Sequence, residues 1–235
     1  MSKICLYHGA PNIVGRPKAG FGNPHRDFGR GFYCTADPQL AGEWACPAGI
    51  GGFVNRYELD TKGLKILDLR KQPAPLMYWL AMLARNRTFR MDSESAYRAA
   101  QFLDENYGNV MPGCDVIIGL RGDDSYFTFA TDFVNNRVPL GRLASSMDLG
   151  KDGIQYVLVS ERAMSSLTFL GSEPVNADEC FRRRCERDLR VRSSYLGHGR
   201  RETVSGYDIM MEDLVLGRVD RDDPRLQRDV PEHSI

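Results

Sequence analysis

Arg26-Asp27-Phe28-Gly29-Arg30-Gly31-Phe32-Tyr33-Cys34-Thr35-Ala36 is a glycine-punctuated turn that runs directly into a short aromatic strand. Gly29 and Gly31 free the backbone for positive φ or for close approach of another group. Phe32-Tyr33-Cys34-Thr35 has the aromatic and β-branched character of a strand. A strand period of two puts Phe32 and Cys34 on one face and Tyr33 and Thr35 on the other, so one aromatic enters the core while its neighbour faces a cleft. Upstream, residues 3–8 alternate as a first strand ending in Leu6-Tyr7-His8-Gly9. His8 shares a face with Ile4 and Leu6, and Gly9 lets a ligand approach the backbone.

Between these strands, residues 10–30 hold four glycines and three prolines and too few apolar residues for an element of their own. Loops of this length in a domain are functional or mobile. Arg16, Lys18, His25, Arg26 and Arg30 make this one locally basic. Further along, Asp37 and Pro38 open a helix over 37–46 whose stripe is Leu40, Ala41, Trp44 and Ala45. Strands are expected at 53–60 and 64–69. Helices are expected after Pro75, closed by Asn86-Arg87, and over 93–106, capped by Ser93 with Tyr97, Ala100, Gln101 and Leu103 at helical spacing. Cys114–Gly119 reads as a buried strand, 125–135 and 139–147 as helices, Gly153–Val159 as a strand, and Leu167–Leu170 as a last core strand. From about residue 174 the chain turns arginine-rich. Asp178–Arg192 reads as a solvated helix laced with i,i+4 pairs, with Cys180, Phe181, Cys185 and Leu189 facing one way. A helix over 206–216 and a disordered polar tail over 220–235 complete the chain.

Composition bounds what the protein does. With 42% hydrophobic and 26% charged residues, the chain is an ordinary globular sequence long enough for a sizeable core. Thirty-one basic residues balance thirty-one acidic ones, which argues against an arginine-rich nucleic-acid binder built around 182–201. Six scattered cysteines and four dispersed histidines show no zinc spacing. No segment approaches the ~20 apolar residues that span a bilayer. The start lacks a signal peptide's apolar segment, so the protein reads as cytoplasmic and without a membrane partner.

A strand ending in His8-Gly9, followed some 25 residues later by a Gly-x-Gly-aromatic-Tyr strand, resembles the ADP-ribosyltransferase superfamily, in its poly(ADP-ribose) polymerase and diphtheria-toxin branch with a His-Tyr-Glu signature. The third position falls in Gly153-Ile154-Gln155-Tyr156, where Gln155 stands in place of the glutamate. The chain also resembles an uncharacterised bacterial family of that superfamily in which glutamine is usual there. The resemblance spans roughly residues 4–170. It implies an α+β domain over 1–172 built on a split, bent sheet, a helical extension over 173–219 and the tail.

It also implies NAD as substrate, with His8, Gly9 and Arg30 binding the cofactor, Tyr33 stacking on nicotinamide, and Gln155 at the ribose. The basic loop that holds Arg30 either meets the pyrophosphate or is simply solvated. Tyr33 and Gln155 are the catalytic pair it implies. A neutral Gln155 orients a hydroxyl but does not stabilise an oxocarbenium charge, and losing one such electrostatic group costs on the order of 3–4 kcal/mol. Glu43, Asp123, Asp124 and Asp152 are candidate replacement acids, and the residues leave that choice open. The function implied is a mono-ADP-ribosyltransferase of toxin-like kind. It would act on an unidentified protein or nucleic-acid acceptor and be neutralised by a small partner protein. A silent NAD- or ADP-ribose-binding module is the alternative that Gln155 favours.

Overall fold

The alternating residues at the start form β1 (Lys3–Ala10), which pairs antiparallel with β3 (Phe53–Asp60). β3 pairs in turn with β7 (Leu167–Pro174), giving a three-stranded sheet in the order β1-β3-β7. A second sheet runs β2-β6-β5-β4, from β2 (Phe32–Cys34) through β6 (Ile154–Leu158) and β5 (Val116–Leu120) to β4 (Ile66–Asp68). β4 and β5 run parallel, and the other neighbours are antiparallel. The computed structural model describes residues 3–46, 49–110, 112–122, 124–147, 153–198 and 208–227. Among these the chain is α+β, with two open sheets and eight α-helices.

Local chemistry sets the helices. Asp37 accepts from the Gln39 amide at 2.8 Å and Pro38 opens α1 (Pro38–Ala45). α2 (Pro75–Asn86) starts on its proline, and Ser93 caps α3 (Glu94–Tyr107). Then follow α4 (Asp124–Val134), α5 (Leu140–Ser146) and α6 (Glu161–Ser165), the last capped by Ser160 at 3.1 Å. α7 (Ala177–His198) and α8 (Met211–Val215) come from the C-terminal part.

Two cores lie on either side of the second sheet. Phe32, Cys34, Leu158 and Ile118 from that sheet meet Leu6, Tyr57 and Leu59 from the first, so the sheets pack on each other. Tyr33, Val157, Ile117 and Leu67 face the other way, into the helices around Trp79, Leu80 and Phe133. The period of two thus divides the Phe32–Cys34 strand as expected, but both aromatics are buried. The indole N–H of Trp79 donates to the Leu120 carbonyl at 2.9 Å, which ties α2 to the end of β5.

Several expectations need correction. The 64–69 strand is cut to Ile66–Asp68, because Asp68 accepts from the Arg70 amide at 3.1 Å and turns the chain into a 3₁₀ turn over Leu69–Lys71. α3 buries Ala96, Ala99, Leu103 and Tyr107, leaving Tyr97 in solvent. The last strand runs on to Pro174. The helix expected over 206–216 is Met211–Val215 within the described residues. α7 buries Tyr195, with Val191 packed alongside, rather than Phe181, Cys185 and Leu189. The tail is not disordered at its start: Pro224–Gln227 forms a 3₁₀ turn with Leu226 buried, while residues 228–235 lie outside the described residues. Tyr195, Ile209, Leu214 and Leu226 belong to the same core as Trp79, so the extension and the start of the tail complete the helix-side core. Among the described residues no helix is long and apolar enough to cross a membrane.

Candidate functional site at the split between the sheets

β1 and β2 touch through one antiparallel bridge: Tyr7 N–H to Thr35 O at 2.8 Å and Thr35 N–H to Tyr7 O at 2.9 Å. One residue further on, a side chain replaces the ladder. His8 Nδ1 lies 2.6 Å from the Tyr33 carbonyl oxygen. A carbonyl only accepts, so Nδ1 carries the proton and Nε2 is left as an acceptor in the neutral ring. Burial pushes the imidazole pKa down against the pull of that carbonyl, and the nearby Arg26 charge pushes it down further. The neutral tautomer is therefore the resting state.

Tyr33 is held just as firmly. Its hydroxyl donates to the Gly29 carbonyl at 2.7 Å and accepts from the Phe28 amide at 3.0 Å. That tight loop needs the positive φ of Gly29, +73°. Gly31 is required for packing, since a Cβ there would sit 2.6 Å from Val157 Cγ1. Burial raises the phenol's pKa, so Tyr33 stays protonated and serves as a ring surface rather than a base. The Arg26 guanidinium lies 5.5 Å from the ring centroid.

Gln155 enters through strand register. Tyr33 is opposite Val157 and Gln155 lies two residues before Val157, so Gln155 and Tyr33 are diagonal neighbours on one face. Gln155 is buried, and its Oε1 has no hydrogen-bond partner among the described residues. A buried acceptor left unpaired calls for an explanation, of which a ligand is one.

Two adjoining cavities occupy this junction. One, about 520 Å³, is walled by His8, Gly9, Tyr33 and Trp44 and by loop residues including Arg16, Lys18 and Phe21. The second, about 400 Å³, contains Gln155, Asp27, Arg87 and Arg184. Asn23, Arg26, Tyr33 and Trp44 line both, so the cavities adjoin across these four residues and together form the cleft of this junction. The loop wall is stapled down by Asn55, fully buried on β3. Asn55 accepts from Val14 N–H at 3.0 Å and donates to the His8 and Asn12 carbonyls at 3.3 Å. Tyr57 O–H adds a bond to the Val14 carbonyl.

Not every expected residue reaches the cleft. Gly9 lines it, but the lack of a side chain serves packing: a Cβ would fall 1.8 Å from the Ala41 carbonyl oxygen on α1. Arg30 is exposed, with Nη1 on the Gly20 carbonyl at 3.3 Å, and lines neither cavity. Glu43 is buried in an ion pair with Arg187 of α7, Nε to Oε2 at 2.8 Å, and so ties two helices together instead of facing the cleft. Asp124 is the first residue of α4. Asp123 and Asp152 lie outside the described residues.

Among the lining residues that went unread as such in the sequence are Trp44, Asp27, Arg87 and Arg184. Trp44 is only half-buried and turns from the α1 stripe toward the cleft. Asp27 sits in the opening stretch itself. Its carboxylate accepts from Gly122 N–H at 2.7 Å and pairs with Arg87 at 2.9 Å. Arg87 also bonds the Gly122 carbonyl and lies 3.9 Å over the Phe127 ring. Arg184 arrives from α7. Asp27 carried no signal beyond its place beside Phe28, two residues before Gly29, and the arginines carried none.

Residues 4–169 match the family described as "Protein of unknown function (DUF3990)". The chain belongs to that family. Among curated proteins and among solved structures, none matches it. The DUF3990 span contains every cleft residue named above except Arg184, so the cleft is chiefly a property of the family's region, closed on one side by α7. Among the described residues of this DUF3990 member, no group of three or more His, Cys, Asp or Glu is placed to hold a metal ion.

Proposed function

We propose that the protein is an NAD-dependent mono-ADP-ribosyltransferase, built on a split sheet of the ADP-ribosyltransferase type. The observation that carries this reading is that three strands meet at two adjoining cavities, of about 520 and 400 Å³, with His8 lining the first, Gln155 the second and Tyr33 both. The Tyr33 and Trp44 rings suit aromatic bases. Arg16, Lys18 and Arg26 suit a pyrophosphate. The His8 Nε2 and Gln155 Oε1 are buried or half-buried acceptors for ribose hydroxyls.

In the reaction, the bond between nicotinamide nitrogen and ribose C1′ breaks and its electron pair leaves with nicotinamide. A lone pair of the protein or nucleic-acid acceptor then forms the new bond to C1′. Fixed rings and acceptors convert binding energy into orientation at that carbon. Asp27 is the carboxylate lining the cleft among the described residues, and its charge is met by Arg87 and Gly122 N–H. That pairing favours the second reading, an NAD- or ADP-ribose-binding module without turnover.

Labelled NAD incubated with the purified protein and a cell lysate separates the two. The transferase releases nicotinamide and passes label to an acceptor, and both stop in Tyr33→Ala. Gln155→Glu raises nicotinamide release by restoring a negative charge beside C1′. Saturable NAD binding with no release in any lysate selects the silent module, and absence of NAD binding removes both. A lysate protein that binds the chain and suppresses release would be the small neutralising partner.

A further inference from the structure

The loop that walls the cleft carries a charge pattern unlike most of the surface. Arg16, Lys18, Arg26 and Arg30 are all exposed on it, and none of the four forms an ion pair among the described residues. Elsewhere arginines are commonly matched, as Arg70 is by Asp68, Arg98 by Glu94 and Arg225 by Asp223. The loop's one acid, Asp27, is buried and taken by Arg87 and the Gly122 amide, so it does not offset the four at the surface. A chain whose formal charges sum to zero thus presents one sign at the mouth of its cleft. On the same loop, Phe21 is 69% exposed, yet it lines the cleft together with the half-buried Trp44. NAD answers only part of this. Its pyrophosphate brings two negative charges and its nicotinamide ring returns a positive one, against four loop cations.

We propose that the loop over residues 10–30 is a docking surface for single-stranded nucleic acid, whose phosphates lie on the four cations and whose bases stack on Phe21 and Trp44. Two features select that partner. Evenly repeated negative charge matches a run of cations that no carboxylate of the described chain matches. Unpaired bases supply flat rings for an aromatic side chain left open at a cleft mouth. An acidic protein segment would answer the charge but bring no row of rings, and a duplex keeps its bases inside the stack. The surface is held ready, since Val14 is tied to Asn55 and Tyr57 on β3 and Arg30 to the Gly20 carbonyl. Binding of the strand does not depend on the NAD reading; its role does, because in the transferase a base of that strand is the acceptor.

The test is fluorescence anisotropy of a labelled oligothymidylate of about 12 nucleotides, titrated with the full chain in the absence of NAD. Saturable binding is expected, tightening as salt is lowered, with a log–log slope of about −3 for four phosphate contacts at about −0.7 each. Arg16→Ala, Lys18→Ala, Arg26→Ala and Arg30→Ala should each make that slope shallower by about 0.7. Phe21→Ala should weaken binding about tenfold and leave the slope unchanged. Lys62→Ala, which removes an exposed cation outside the loop, should change neither. All of these positions are exposed, so the variants should keep the wild-type melt. A strand left unbound at about 100 μM chain in low salt, or loop variants that bind as wild type does, would overturn the proposal. So would a duplex of the same length bound as tightly, or polyglutamate displacing the strand at equal charge. With NAD absent from the titration, a failed NAD reading leaves this result standing, and a chain that binds NAD but ignores the strand loses this proposal alone.

Discussion

The two ends of the cleft are built from opposite materials. The His8 end is an aromatic pocket whose rings are fixed from behind, with the His8 Nδ1 proton on Tyr33 O and the Tyr33 hydroxyl on the Gly29 loop, while His8 Nε2 is left as an acceptor and Arg16 and Lys18 line the loop wall. The Gln155 end is charged, lined by Arg26, Arg87, Arg184 and one carboxylate, Asp27, which pairs with Arg87, and it holds one amide oxygen unpaired among the described residues. The first end is preorganised for rings by geometry. The second is preorganised for charge and hydroxyls by an ion pair and by a gap in hydrogen bonding. The contrast shows that the neutral Gln155 does not leave its end without an acid: Asp27 lines it from the loop, with its charge met by Arg87 and the Gly122 amide.

Breaking the aromatic end should cost most. Gly9→Ala drives a Cβ to 1.8 Å from Ala41 O and 2.7 Å from Ala45 N, so α1 must lift from β1. Such overpacking is expected to cost about 3 kcal/mol, lowering the melting temperature by about 6–12 °C in a chain of this size. A melt within about 1 °C of wild type would show that the α1 contact is not as tight as described.

At the charged end, Asp27→Asn leaves the Arg87 guanidinium short of its counter-charge and should cost about 2 kcal/mol in denaturant unfolding. Tyr33→Phe removes two hydrogen bonds but keeps the ring, so about 1 kcal/mol should be lost while NAD affinity is retained. Equal loss of NAD binding in Tyr33→Phe and Tyr33→Ala would mean that the loop, rather than the ring, is what the ligand reads.

The smallest effect concerns pH. The folded-state pKa of His8 lies below the ordinary value of 6.5 because burial penalises the charged ring. The unfolded state therefore takes up the proton first as pH falls. His8 contributes full stability above 6.5, and that contribution declines as pH drops from there through the folded value. Melts of wild type and His8→Gln across that window should converge toward low pH. Parallel curves would contradict a buried neutral imidazole.

Much of the scaffold was legible because it is written locally. Asp37-Pro38, Ser93 and the alternations at 3–8 and 53–60 act within a few residues, and these elements formed where expected, the first strand running on to Ala10. His8, Tyr33 and Gln155 were legible through strand-end motifs. Asp27's partner Arg87 lies 60 residues away, and Arg184 comes from a helix beyond the family match; no local pattern announces such meetings. Glu43 was misassigned for the same reason, since its partner is 144 residues distant. α7 shows a sharper limit. Periodicity located a stripe at Phe181, Cys185 and Leu189, but it does not say which stripe meets the core. The buried side is Tyr195 and Val191 with an arginine paired to Glu43, polar enough to read as surface.

The most direct measurement is the electron density of a crystal soaked with NAD. The nicotinamide ring is expected against Tyr33, with a ribose hydroxyl within hydrogen-bond distance of Gln155 Oε1 and His8 Nε2 on a second hydroxyl. NAD bound elsewhere on the molecule, or a Gln155 oxygen still unpartnered beside bound NAD, would contradict this placement.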